Sequence, residues 1–195
     1  LAPAPPVIWF GTVAVTPPPG AFLQATTDAE AALQQAVAGI VGGASRVTDL
    51  FAGCGTLGLP LLKGLSKLTA AESDTAALAA MKAAVDAAGL GARLDCIEAD
   101  LMRAPLTADL FGDVEAVIID PPRAGASAQC EILATTAVPS IAMVSCNPAS
   151  FSRDAAILVA GGYRLTSLQI IDQFRFSSHV EIVAGLERGK GVYSF

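Results

Sequence analysis

Three side chains in this sequence combine reactive type with a suggestive position: Cys146, Asp120 and Glu181. Cys146 sits in Ser145-Cys146-Asn147-Pro148, directly after the apolar run 138–144. Asp120 closes another apolar run and opens Asp120-Pro121-Pro122-Arg123, and Glu181 follows His179-Val180. An open α/β sheet keeps its active site at strand ends of this kind. A thiol and two carboxylates suit covalent chemistry on an electron-poor ring. The thiolate adds, one carboxylic group orients the ring, and a carboxylate takes up a proton. Cys54 in a glycine-rich turn, Cys96 in a strand-like run and Cys130 in a helix-like segment are expected to be inert core thiols, the commoner fate of free cysteine.

Positioning these groups requires a sheet. Apolar strand-like runs alternate with alanine-rich helical runs, the signature of βαβ units. Strands are expected at 46–51, 68–72, 94–98, 116–120 and 140–145, with 164–172 and 181–187 as a closing antiparallel pair. Helices are expected at 27–40, 57–65, 74–88, 127–136 and 150–160. Thr27-Asp28-Ala29-Glu30 has the pattern of a capping box, and Gly89 terminates the third of these helices. The expected fold is therefore α/β: a mainly parallel seven-stranded sheet, helices on both faces, and an antiparallel pair at one edge. The segment 1–20 is expected to be extended, 21–188 to form the catalytic domain and 189–195 to be a tail.

Composition narrows the function classes. Of the 195 residues, 53% are hydrophobic and 15% charged, apolar for a soluble domain, yet no stretch approaches a membrane span. Leu1-Ala2-Pro3-Ala4-Pro5-Pro6 lacks the basic and apolar regions of a signal peptide. The chain starts at Leu rather than Met and is expected to be a fragment whose apolar face another domain covers. The four cysteines form no CxxC pair and have no metal-ligand spacing, which speaks against disulfides, zinc or iron–sulfur ligation in this segment. A reducing, cytoplasmic setting is expected. The net charge of −6, with scattered Lys and Arg, argues against a strong grip on nucleic acid by this segment alone.

A second constellation surrounds Asp49-Leu50-Phe51-Ala52-Gly53-Cys54-Gly55-Thr56. Two glycines at i and i+2 let the backbone turn tightly and approach a ligand at the next helix. Glu72 ends the second strand, where a carboxylate can accept both hydroxyls of a ribose, and Asp100 closes the third in the same way. Together these features suit a nucleoside-bearing cofactor. The competing role for Glu72 and Asp100 is capping of helix N-termini.

Five motifs together resemble the RNA uracil-5 methyltransferases: Asp49-Leu50-Phe51-x-Gly53-x-Gly55; Glu72; Asp120-Pro121-Pro122-Arg123-Ala124-Gly125; Ser145-Cys146-Asn147-Pro148; and His179-Val180-Glu181. The resemblance runs from about Pro19 to Arg188. It implies a class I methyltransferase fold that uses S-adenosylmethionine to make 5-methyluridine in transfer or ribosomal RNA. It further implies Gln24, Phe51, Gly53, Gly55, Thr56, Glu72, Asp100 and Asp120 around the cofactor. Asp120 would lie against the uracil, with Cys146 as nucleophile and Glu181 as base. Thr56 departs from the Asn common in the family. The N-terminal RNA-binding domain, the central insert and the upstream iron–sulfur cysteines found in family members are absent from this segment.

The chemistry of the residues agrees with that resemblance. Uracil C5 becomes nucleophilic only after a thiolate adds at C6, and the proton then left on C5 must be removed. The N-terminus of a helix starting near Ser150 is expected to lower the Cys146 pKa. His179 is expected to be structural or to touch substrate. Two alternatives remain: a cytosine-5 RNA methyltransferase of the Asp-Pro-Pro type, and a cofactor-binding module without activity of its own. The target base would have to be extruded from a structured RNA.

Overall fold

The computed structural model describes residues 5–172 and 180–189. Its centre is a seven-stranded sheet built from β3 (Arg46–Leu50), β4 (Lys67–Glu72), β5 (Leu94–Glu98), β6 (Ala116–Ile119), β7 (Ser140–Ser145), β8 (Tyr163–Ile171) and β9 (Glu181–Arg188), in the order β5-β4-β3-β6-β7-β9-β8. The first five of these strands pair in parallel, while β9 runs antiparallel to both β7 and β8. From β3 the chain moves outward through β4 and β5, then returns to the other side of β3 through β6 and β7. This reversal puts the topological switch point between β3 and β6, where such sheets hold ligands.

Every residue of β6 is buried, and its side chains alternate between two cores. Ala116 and Ile118 face one core; Val117 and Ile119 face the other. The first core gathers α1 (Thr27–Val41) and α2 (Thr75–Ala87) through Leu33, Val37, Leu78 and Met81. The second gathers α3 (Ser127–Thr135) and α4 (Pro148–Ala160) through Cys130, Leu133, Phe151 and Leu158. Continuous apolar runs are what a parallel strand covered on both faces demands.

Several local expectations are refined. The cap of α1 is Thr26, whose side chain accepts from Ala29 N at 3.2 Å, and Thr27 is already helical. Glu30 does not reach back to the cap but accepts from Gln34 Nε2 at 3.3 Å. Within 57–65 only a short 3₁₀ helix forms, Leu59–Gly64, with Pro60 in its first turn, where a missing amide is tolerated. The expected extended segment contains a hairpin, β1 (Ile8–Phe10) with β2 (Val13–Val15), whose Phe10, Val13 and Val15 are buried in the first core. Cys54 and Cys130 are buried as expected, but Cys96 is exposed, because β5 is an edge strand.

Candidate active site

A cavity of about 540 Å³ opens at the C-terminal ends of β3 to β7, within the size range of small-molecule sites. Asp120, Cys146 and Glu181 line one end, and Phe51, Glu72 and Asp100 the other.

The pairing of β7 with β9 brings the reactive groups together. Ser145 lies opposite Ile182 in that antiparallel register. One step further along, Cys146 lies opposite Glu181, and side chains directly opposite in such a pair share a face. Cys146 is the first residue past β7, half-buried, while Glu181 opens β9 and is buried. Asp120 follows β6, the neighbour of β7, so all three groups converge on one wall. His179 lies outside the described residues.

The electrostatics are those of crowded carboxylates. Burial, with the charge of Glu181 adding to it, pushes Asp120 up to about 7. The Cys146 thiol is also raised, first by burial and then by Glu181 and Asp120; its own backbone amide and Arg123 oppose this. The expected lowering of this thiol by a helix N-terminus is thus corrected. The helix α4 starts at Pro148, with Asn147 as its cap accepting from Ala149 N at 3.1 Å, and the thiol beside it is nonetheless raised, by burial first and by the two carboxylates after it.

The glycine turn forms the cavity's other end. Phe51, Gly53 and Gly55 all have positive φ, at 62°, 53° and 91°. For Phe51 this left-handed backbone costs about 1–2 kcal/mol, strain of a kind found at ligand clamps. A Cβ on Gly53 would meet nothing within 4 Å. Gly53 is therefore needed for its backbone angle, and its amide donates to Glu72 Oε2 at 3.0 Å. Gly55 is not part of the cavity wall: it faces the core, where a Cβ would strike the Leu59 side chain. The second glycine serves packing and the turn behind the cavity-lining Gly53. Gln24 and Thr56 line the cavity.

Glu72 and Asp100 each accept from amides of a local turn while lining the cavity, and the cap of α2 is Asp74 rather than Glu72. Glu72 Oε1 accepts from Ser73 N, Ser73 Oγ and Asp74 N at 2.7–2.9 Å. Its Oε2 accepts from Gly53 N, which leaves that oxygen a second lone pair. Asp100 Oδ1 accepts from Met102 N at 3.1 Å.

Asp49 escaped sequence reasoning as a site residue. It lies inside β3, is 1% exposed and lines the cavity. Neither carboxylate oxygen makes a hydrogen bond to a described group. Burial pushes its pKa up to about 8, the charge of Asp120 contributes, and the nearby Gly58 amide opposes in part. The available signal was an acid between Thr48 and Leu50 within a strand, which when buried needs a partner that the strand itself does not supply.

Comparisons with known proteins converge on these same features. Residues 107–189, which include Asp120, Cys146 and Glu181, match the family model described as tRNA (Uracil-5-)-methyltransferase. An uncharacterized RNA methyltransferase of Mesorhizobium japonicum is 47% identical over 96% of this chain and 45% of its own length. A 23S rRNA (uracil(1939)-C(5))-methyltransferase of Chromohalobacter salexigens is 38% identical over 87% of this chain and 35% of its own. The crystal structure of Pyrococcus abyssi tRNA (uracil-54, C5)-methyltransferase in complex with S-adenosyl-L-homocysteine superposes with a TM-score of 0.78. It is 27% identical and covers 92% of this chain and 43% of that one. The chain therefore spans less than half the length of these relatives. The sheet order, the family model over residues 107–189 and these relatives agree in the likeness of this chain to the RNA uracil-5 methyltransferases.

Proposed function

We propose that this chain is the catalytic domain of an enzyme that methylates uracil C5 in transfer or ribosomal RNA, with S-adenosylmethionine as donor. The observation that carries the reading is the β7–β9 register, which sets a half-buried thiol opposite a buried carboxylate on the wall of a nucleoside-sized cavity.

The residues present fit the cofactor. The Asp49 carboxylate, buried without a hydrogen-bonding partner, suits the amino group of the methionine moiety. The free lone pair of Glu72 Oε2 suits a ribose hydroxyl, and Phe51, Leu101 and Met102 offer apolar surface to a base. Bound there, the cofactor supplies an electrophilic methyl group on a cationic sulfonium. Cys146 Sγ, as thiolate, forms a bond to uracil C6 and thereby makes C5 nucleophilic. Asp120 hydrogen-bonds the pyrimidine edge and orients the ring. Once C5 carries both methyl and hydrogen, Glu181 takes the C5 proton, the C5–C6 double bond reforms and the thiolate leaves. With a net charge of −6, the chain leaves most of the RNA grip to parts that the longer relatives carry.

Trapping separates the roles. Cys146→Ala is expected to form no covalent RNA adduct. Glu181→Gln is expected to attack and methylate, then stall as a conjugate that survives denaturing electrophoresis. A substrate with 5-fluorouridine is expected to trap the wild type. An adduct from Cys146→Ala, or normal turnover by Glu181→Gln, sinks the mechanism.

A further inference from the structure

We propose that Asp154, with Arg153, is a positioning residue that fixes the Asp120 loop against Cys146. This rests on the methyltransferase reading for its kinetic readout and on geometry for the rest.

The loop that leaves β6 runs from Asp120 to Ala126, and its backbone is tied at three places to the start of α4. Asn147 Nδ2 donates to Arg123 O at 2.9 Å, Arg153 Nη2 donates to Ala124 O at 2.8 Å, and Ala126 N donates to Asp154 Oδ2 at 2.6 Å. The other oxygen of Asp154 pairs with Arg153, through Nε at 2.8 Å and Nη2 at 2.7 Å. Asp154 is fully buried, and Arg153, half exposed, closes the pair from the solvent side.

The same carboxylate serves a second helix. Ala126 precedes α3 and has no side chain able to cap it, so Asp154 supplies the anion at that N-terminus from across the core. Backbone fit is tight: Gly125 has φ 80°, and a Cβ there would collide with Asp154 Oδ2 and Arg153 Nη2.

The mechanism needs this tie because strand pairing alone does not span the site. The β6–β7 ladder ends at Ile119 opposite Met143, one residue before Asp120 and three before Cys146. Asp120 N still donates to Leu50 O of β3 at 3.4 Å, and β7 stays paired with β9 as far as Ser145, but these bonds tie each group to its outer neighbour. The connections that leave β6 and β7 are tied to each other by the side-chain clamp at Asn147, Arg153 and Asp154. A loosened clamp would let Asp120 and the ring it orients drift from Sγ, and misplacement of about 1 Å lowers rates on the order of 100-fold. The cofactor end of the cavity, at Phe51, Glu72 and Asp100, has no share in it.

The test compares Asp154→Asn and Arg153→Ala with wild type and with Leu158→Ala, a buried apolar variant on the same helix whose side chain makes no hydrogen bond to the loop. Each is measured for S-adenosylhomocysteine affinity by calorimetry, melting temperature and the rate of covalent adduct formation with 5-fluorouridine RNA. Expected is adduct formation slowed at least about 10-fold in both clamp variants, with cofactor-product affinity within twofold of wild type and a Leu158→Ala rate close to wild type. Arg153 is half exposed, so that variant reports even if Asp154→Asn folds poorly. Wild-type rates in the clamp variants overturn the positioning role. So does a Leu158→Ala rate as slow as theirs at equal melting temperature, since general destabilisation would then explain both. All variants are made in the full-length protein, where a wild type that forms no adduct overturns the uracil reading, and the kinetic role of the clamp with it.

Discussion

At the residue scale, the site is a set of acids whose charges oppose one another. Cys146 is raised by burial, by Glu181 and by Asp120, so the ligand-free thiol is a poor nucleophile near neutral pH. Neutralising Glu181, the stronger of its two carboxylate neighbours, removes one of those causes. Glu181→Gln is therefore expected to move the pH profile of Cys146 alkylation to lower pH, followed by peptide mass mapping so that exposed Cys96 is scored separately. An unmoved profile would show that Glu181 does not face the thiol. At the other end of the cavity, Glu72→Ala removes both a ligand acceptor and the partner of Gly53 N. Cofactor binding is expected to weaken by about 1–3 kcal/mol in calorimetry; unchanged affinity would remove Glu72 from the binding site.

At the element scale, strand ends and the loops that follow them carry the site, and buried side chains on helices hold two of those loops. Gln129 on α3 is the plainest case after the clamp. Fully buried, it accepts from Leu106 N at 2.8 Å and donates to Leu106 O at 3.2 Å, reproducing a strand's hydrogen bonding with one amide. This anchors the connection after β5 that carries Asp100 to Met102. Gln129→Ala leaves two backbone groups unpaired and is expected to destabilise the fold by about 2–4 kcal/mol. For a chain of this size that is a fall in Tm of roughly 4–16 °C, measurable by circular dichroism. A fall below about 2 °C would mean that water or a rearranged backbone satisfies Leu106.

At the scale of the whole molecule, burying acids makes stability depend on pH. Asp120 and Asp49 have folded-state pKa values of about 7 and about 8, above the ordinary value of 3.8. For a raised pKa the folded state holds its proton more tightly, so the stability is fully present below about pH 4 and is lost as pH rises through 7 and 8. The ligand-free protein is expected to lose at least about 3 °C in Tm between pH 5 and 8.5, and Asp49→Asn to flatten that slope. A level wild-type profile would mean that the two carboxyls are solvated. No helix of the described residues is long and apolar enough to cross a membrane, and no group of three or more acids, cysteines or histidines among them could hold a metal ion.

By itself the sequence determined what is local. Apolar runs that end in Asp120 and Cys146 marked strand ends because a strand buried on both faces reads as a nearly continuous apolar run. The glycine turn, the strand spans and the antiparallel closing pair were legible for the same reason. The tertiary structure decided what depends on pairing. Either closing strand could have lain beside β7. It is β9, buried from Glu181 through Leu186, and not β8, exposed along most of its length, and this choice puts Glu181 opposite Cys146. The hairpin at Ile8 to Val15 has strands of three residues, too short for a periodic signal to show. Asp49 looked like part of a turn motif, because a carboxylate's burial depends on which strands flank it, and β4 and β6 come from distant parts of the chain. The clamp at Asp154 was hidden in the same way: nothing in the sequence of α4 tells its carboxylate that the amide of Ala126 is within reach.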